Sequence, residues 1–241
     1  MNSRIKLSAR AALTGSQIRV VPLVAAIMTL VLFFSFFNAA LNRLPLHLKR
    51  EYLMIFAAVS LVAFVAAVSP LRLLLQIRML MLARGINHAV RPDIGFIGAA
   101  KACGMSVCLF LLKFFWLAVF EAIPVAGAVM LALKGSREAL SLRASYAVIS
   151  GIAVLAFAGL AFYAVFIQRY SKAMFYLACY KDFGIADALR ESIKRTEGRA
   201  VEILFFKLGF APWFLLCAGI LPALYVIPYY KQSVTCFFLS R

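Results

Sequence analysis

Three charged side chains stand in stretches that are otherwise suited to lipid. Lys113 lies within LFLLKFFWLAVFEAIP, Glu121 eight residues later in the same run, and Lys207 within EILFFKLGFAPWFLL. A charge at mid-bilayer costs about 2.5–3.5 kcal/mol on insertion scales, and less when a long stem carries it to the headgroups. Three roles are open to such residues: an interfacial anchor, an intramembrane ion pair, or an anion site. Lys207 is about seven residues into its run and Lys113 about ten, so each starts roughly 10–15 Å deep. Snorkelling suits Lys207 well, whereas Lys113 needs a longer reach. Glu121 stands about 12 Å further along the axis, too far to pair with Lys113 on one straight helix. Lys113 would instead meet Glu202 or carbonyls of another helix. The sharper expectation is that Lys113 and Lys207 face a shared interior between two helices broken by proline, with Pro124, Pro212, Pro222 and Pro228 as the break candidates.

The elements that must position these residues follow from composition. Of 241 residues, 65% are hydrophobic and only 15% charged, with a mean hydropathy of +0.94. A soluble domain is usually about 45–50% apolar, and one water-soluble core cannot hide such an excess. The fold class is therefore all-α, a polytopic membrane helix bundle forming a single integral-membrane domain over residues 1–241. The net charge of +17 would suggest nucleic acid in a soluble chain. Here Lys and Arg fall mainly between apolar runs, where the positive-inside rule and anionic lipid headgroups account for them. No pattern for base stacking or a recognition helix is present, so nucleic acid is not an expected partner.

A span needs about 20 mostly apolar residues. The first runs from Ile18 to Leu41, after a basic N-terminal arm read as part of an uncleaved first helix. The second runs from Tyr52 to Ser69, ahead of Pro70. PLRLLLQIRMLMLARG, with Arg72 and Gln76 among leucines, is either an interfacial amphipathic helix or a long extension of span two. Pro124 and Gly127 put the end of span three near Ile123, from a start near Cys103. Span four is Ala144 to Ile167. A short surface helix follows, with Ile185, Leu189 and Ile193 on one side, Asp187 as N-cap and Gly198 just past its end. Span five runs from about Ala200 to Leu221, broken around Gly209 to Pro212. PALYVIPYYKQSVTCFFL is a half-span, an interfacial helix or a sixth crossing, giving five to six spans with interfacial amphipathic helices. Basic residues concentrate in the N-terminal arm and after spans two and four, which puts the N-terminus in the cytoplasm of a bacterial cell.

Both lysine-bearing runs place a tryptophan (Trp116, Trp213) and then a proline (Pro124, Pro222) after the lysine. Either a weak duplication of 52–134 in 144–231 or the shared composition of membrane helices accounts for this. The C-terminal region carries a further pattern: Ser192 and Gly198 near a basic helix, Leu208, Phe210 and Trp213 in a span, then Pro228, Tyr229, Thr235 and Phe238. It resembles a bacterial membrane family filed as domain of unknown function 975, as does the opening SRIKLSARAALTG. The chain departs from that pattern in a shorter stretch between Trp213 and Pro228 and in Pro212. The resemblance implies a multi-span membrane protein of unassigned activity.

No paired carboxylates, nucleophile–base set or H-x-x-x-H pattern points to an enzyme. The five cysteines are scattered without a C-x-x-C pair, and His47 and His88 stand alone in polar connections, so no metal or cofactor is expected. The sequence favours a non-enzymatic scaffold or envelope component. Its alternative is a small transporter or channel for an anionic or small polar solute, lined by Lys113, Lys207 and Glu121. The partners expected are the lipid bilayer and anionic headgroups on the cytoplasmic side. Small residues such as Gly151 and Gly159 leave room for a protein partner or homo-oligomer.

Overall fold

In hydrocarbon a backbone satisfies its polar groups only within itself, so apolar runs of this length become helices. The computed structural model describes residues 2–14, 17–43, 50–86, 95–135, 142–180, 182–217 and 220–240. Every regular element among them is helical, with no strand. In chain order they are α1 (Asn2–Leu13), α2 (Gln17–Arg43), α3 (Arg50–Ala83), α4 (Gly95–Gly135) and α5 (Leu142–Phe166). A 3₁₀ turn (Ile167–Tyr170) then leads to α6 (Ala173–Cys179), α7 (Ile185–Thr196), α8 (Ala200–Leu208), α9 (Ala211–Leu216) and α10 (Ile220–Leu239). His47 and His88 lie outside the described residues.

Among the described residues, four stretches are long and apolar enough to cross a membrane: Val20–Ala40, Ile55–Ala83, Gly95–Leu131 and Tyr146–Cys179. The first matches the expected span one. The second resolves the ambiguity after Pro70, because α3 continues through that proline to Ala83. The third corrects the expected break at Pro124. Helix α4 runs through it for 41 residues, about 60 Å at 1.5 Å per residue and well beyond a hydrocarbon core. The expected fifth span is broken where expected, between α8 ending at Leu208 and α9 starting at Ala211, and the C-terminal stretch forms one continuous 20-residue helix.

The arm before span one is a helix of its own. Ile5, Ala9 and Leu13 recur at one-turn intervals and are buried, and that stripe docks α1 on α10 and α3. Asp187 proves to be the third residue of α7 rather than its cap. Its Oδ2 accepts from the Gly184 N–H at 3.1 Å, and Gly198 supplies the positive φ of 70° just past the helix end.

Helix α3 is the hub. Its residues Leu73, Leu75, Met79, Leu80 and Leu82 enter three separate cores. One lies between α2 and α3 (Val20, Val24, Met79), and another joins α4, α6 and α7 (Met105, Ala173, Leu177, Ala188). The third is aromatic: Phe175, Phe206, Phe210, Phe237 and Phe238 pack with Ile5, Leu80 and Ile203. Phe206 stacks on Phe237 with centroids 4.4 Å apart. All three gather beyond Pro70. Before it, α3 is mostly exposed and is held to α2 by the edge-on Phe34–Phe64 pair and a hydrogen bond from the Ser60 hydroxyl to Asn38 Oδ1 at 3.2 Å.

Candidate functional site

On α4, Lys113, Trp116 and Phe120 fall at i, i+3 and i+7, along one face of the helix. That face is turned toward the end of α5. The Trp116 and Phe166 rings approach to 4.2 Å, and Trp116 Nε1 donates to the Tyr170 hydroxyl at 3.1 Å. The 3₁₀ turn between α5 and α6 exists because α7 braces it. The Ser192 and Thr196 hydroxyls both donate to the Arg169 carbonyl, at 2.7 and 3.1 Å. Tightening the chain there delivers Gln168 to the interior, where it is buried. Its amide N–H donates to the Ala164 carbonyl at 2.9 Å, and its Oε1 accepts from Lys207 Nζ at 2.7 Å. Lys207 is thus bound inward, half-buried against the 3₁₀ turn.

The opposite wall is built by α3 and α10. Gln76 Nε2 donates to Thr235 Oγ1 at 3.0 Å, fixing the register of the two helices. One turn earlier on each stand Arg72 and Lys231. The like charges act on one another in pairs: Lys113 with Arg72, Lys207 with Lys113 and Lys231, and Lys231 with Arg72 and Lys113. Five of the six pairs among these four cations, carried by four helices, therefore lie within electrostatic reach, all but Arg72 with Lys207. Among the described residues, no carboxylate forms an ion pair with any of them. Glu202 is held by Arg199 at 3.2 Å and Glu191 by Arg195 at 2.8 Å. Like charges within such reach repel one another, so the arrangement favours any anion that enters it. Arg72, Lys113 and Lys231 keep substantial accessible surface, so their heads are not sealed in.

Lys113 and Lys207 lie within electrostatic reach of each other, and Glu121 lies instead beside α5. Helix α5 approaches Glu121 at Gly159, where an added Cβ would stand 3.1 Å from Glu121 Oε1 and 2.8 Å from the Phe120 carbonyl oxygen. Pro124 is buried in α4 and, lacking an N–H, leaves that same carbonyl without its helical donor. Pro212 opens α9, Pro222 sits exposed in the first turn of α10, and Pro228 is buried inside α10 without ending it. A cavity of about 330 Å³ between α2 and α3, lined by Phe34, Asn38, Ser60 and Phe64 among others, involves none of the four cations.

Sequence reasoning passed over Arg72, Gln168 and Lys231 as site residues. The available signal was the pairing of Arg72 with Gln76, and of Lys231 with Thr235, at i, i+4 in apolar helices. Fold and composition together define an all-α membrane protein with several long apolar helices. No family model, curated protein or solved structure matches the chain.

Proposed function

We propose that this is a multi-pass protein of the bacterial cell membrane, with a cytoplasmic N-terminus, that works without catalysis as a small transporter or channel for an anionic solute. The convergence of Arg72, Lys113, Lys207 and Lys231 carries this reading. Arg72, Lys113 and Lys231 are exposed and Lys207 is half-buried; ionisable side chains within apolar helices mark solute paths more often than they serve stability, and rings of Lys and Arg select anions. The test is flux of labelled anions into proteoliposomes. Wild-type protein should conduct at least one small anion, and Lys113→Met with Lys207→Met should abolish that flux while leaving the protein extractable and helical. Equal flux from both proteins would contradict the proposal.

A second reading, a scaffold or envelope component, is favoured by the exposed Arg190, Lys194 and Arg195 on α7. Such a face suits anionic headgroups or a protein partner. It predicts membrane or partner association that survives loss of the interior lysines. Membership in the family that the C-terminal region resembles is proposed on the quoted residues alone.

A further inference from the structure

The anion-handling proposal leaves its ligand open, and the make-up of the cluster narrows it. A halide carries one charge and is balanced by one or two cations. Here three ammonium groups and one guanidinium share one neighbourhood, with no carboxylate paired to any of them among the described residues. An ammonium is a compact point charge free to meet any oxygen, whereas a guanidinium offers a planar fork that matches two oxygens of one tetrahedral group. Three Lys and one Arg suit an anion with several oxygens and at least two charges.

Register supports a single site rather than scattered charges. Arg72 and Lys231 are each one turn from the Gln76–Thr235 hydrogen bond, and Lys207 is pinned by Gln168. Lys113 lies one turn from Trp116, itself anchored on Tyr170. Three of the four cations therefore stand on, or one turn from, a side-chain hydrogen bond between helices, and the fourth is itself in one. That is the preorganisation a binding site needs.

We infer that Arg72, Lys113, Lys207 and Lys231 together bind a doubly charged phosphate group, held between α3, α4, α8 and α10. The group belongs either to free phosphate or a small phosphate ester, or to the head of a phosphatidic-acid-type lipid; the chemistry at the cations is the same. This inference rests on the anion-handling proposal and goes beyond it in naming the charge and the group.

The experiment follows thermal unfolding of the detergent-purified full chain at constant ionic strength, titrated with inorganic phosphate or chloride. A parallel arm compares nanodiscs of phosphatidylcholine alone with nanodiscs containing phosphatidic acid. Phosphate should raise the midpoint by several degrees, and chloride should not. Arg72→Gln and Lys231→Met should each weaken apparent phosphate affinity by at least tenfold. Stabilisation by phosphatidic acid alone assigns the lipid source, and stabilisation by inorganic phosphate assigns the soluble one. Equal responses to phosphate and chloride in the wild-type protein would overturn the inference, even if a variant fails to fold. So would unchanged phosphate affinity in both folded variants. Flux of a monovalent anion without phosphate preference would leave the proposed function standing while this inference falls. Phosphate binding without any flux would do the reverse.

Discussion

Around Pro124 and around Pro212 the chain meets the same backbone difficulty and resolves it differently. A proline inside a helix removes one N–H and orphans the carbonyl four residues earlier. At Pro124 the helix continues, and the orphaned Phe120 carbonyl is covered by α5. Gly159 brings α5 so close that a Cβ there would stand 2.8 Å from the carbonyl oxygen, a distance that leaves room only for a Cα–H contact. Before Pro212 the helix parts. The Trp213 N–H bonds to the Phe210 carbonyl at 3.0 Å rather than reaching back to Gly209. The Gly209 carbonyl is instead met by Lys6 of α1 at 3.4 Å, with the same ammonium 4.4 Å from the Phe210 ring centroid. At Pro124 a neighbouring helix presses on the orphaned carbonyl and the helix stays whole; at Pro212, whose own orphan is the Leu208 carbonyl, the chain parts and a charged side chain serves the next carbonyl, that of Gly209.

The largest effect should come from filling the first gap. Gly159→Val should destabilise by about 3 kcal/mol in reversible detergent unfolding, because a backbone carbonyl cannot swing aside as a side chain can. Unchanged stability would mean that α5 does not press on Phe120. Next, Lys6→Met removes one long, charge-assisted hydrogen bond and a cation–π contact, and should cost about 1 kcal/mol. Unchanged stability would remove Lys6 from the break. The smallest change should be Gly209→Ala. Its backbone is already α-like and an added Cβ at 3.3 Å from Phe206 O asks that carbonyl to give by only a few tenths of an ångström, so the shift should stay within about 0.5 kcal/mol. A cost comparable to that at Gly159 would erase the contrast between the two sites.

Much of this was legible in the residues. Apolar length alone located α2, α3, α4 and α5, and Gly209 with Pro212 marked the gap before α9. The continuity of α4 was not legible, because whether Pro124 breaks a helix depends on Gly159, 35 residues away and on another element. Helix α1 was not legible as a separate element, because the basic arm read as part of the first helix; its Ile5, Ala9 and Leu13 stripe gains meaning only from its docking on α10 and α3. The two lysines of the site stood out because each interrupts a Phe/Leu run. Arg72 and Lys231 did not, since each lies in a segment whose other polar residues made it look interfacial. Their meeting is set by the Gln76–Thr235 register, which no local pattern encodes.

The central claim is that Arg72, Lys113, Lys207 and Lys231 form one positive field. It is tested most directly by Lys113→Cys in a background without the five native cysteines. In membranes, the rate of thiol modification is measured with an anionic and a cationic thiosulfonate of matched size. The three remaining cations should make the anionic reagent faster by about tenfold or more, and adding Arg72→Gln and Lys231→Met should bring the two rates together. Equal rates in the three-cation background, or no reaction with either reagent, would contradict it.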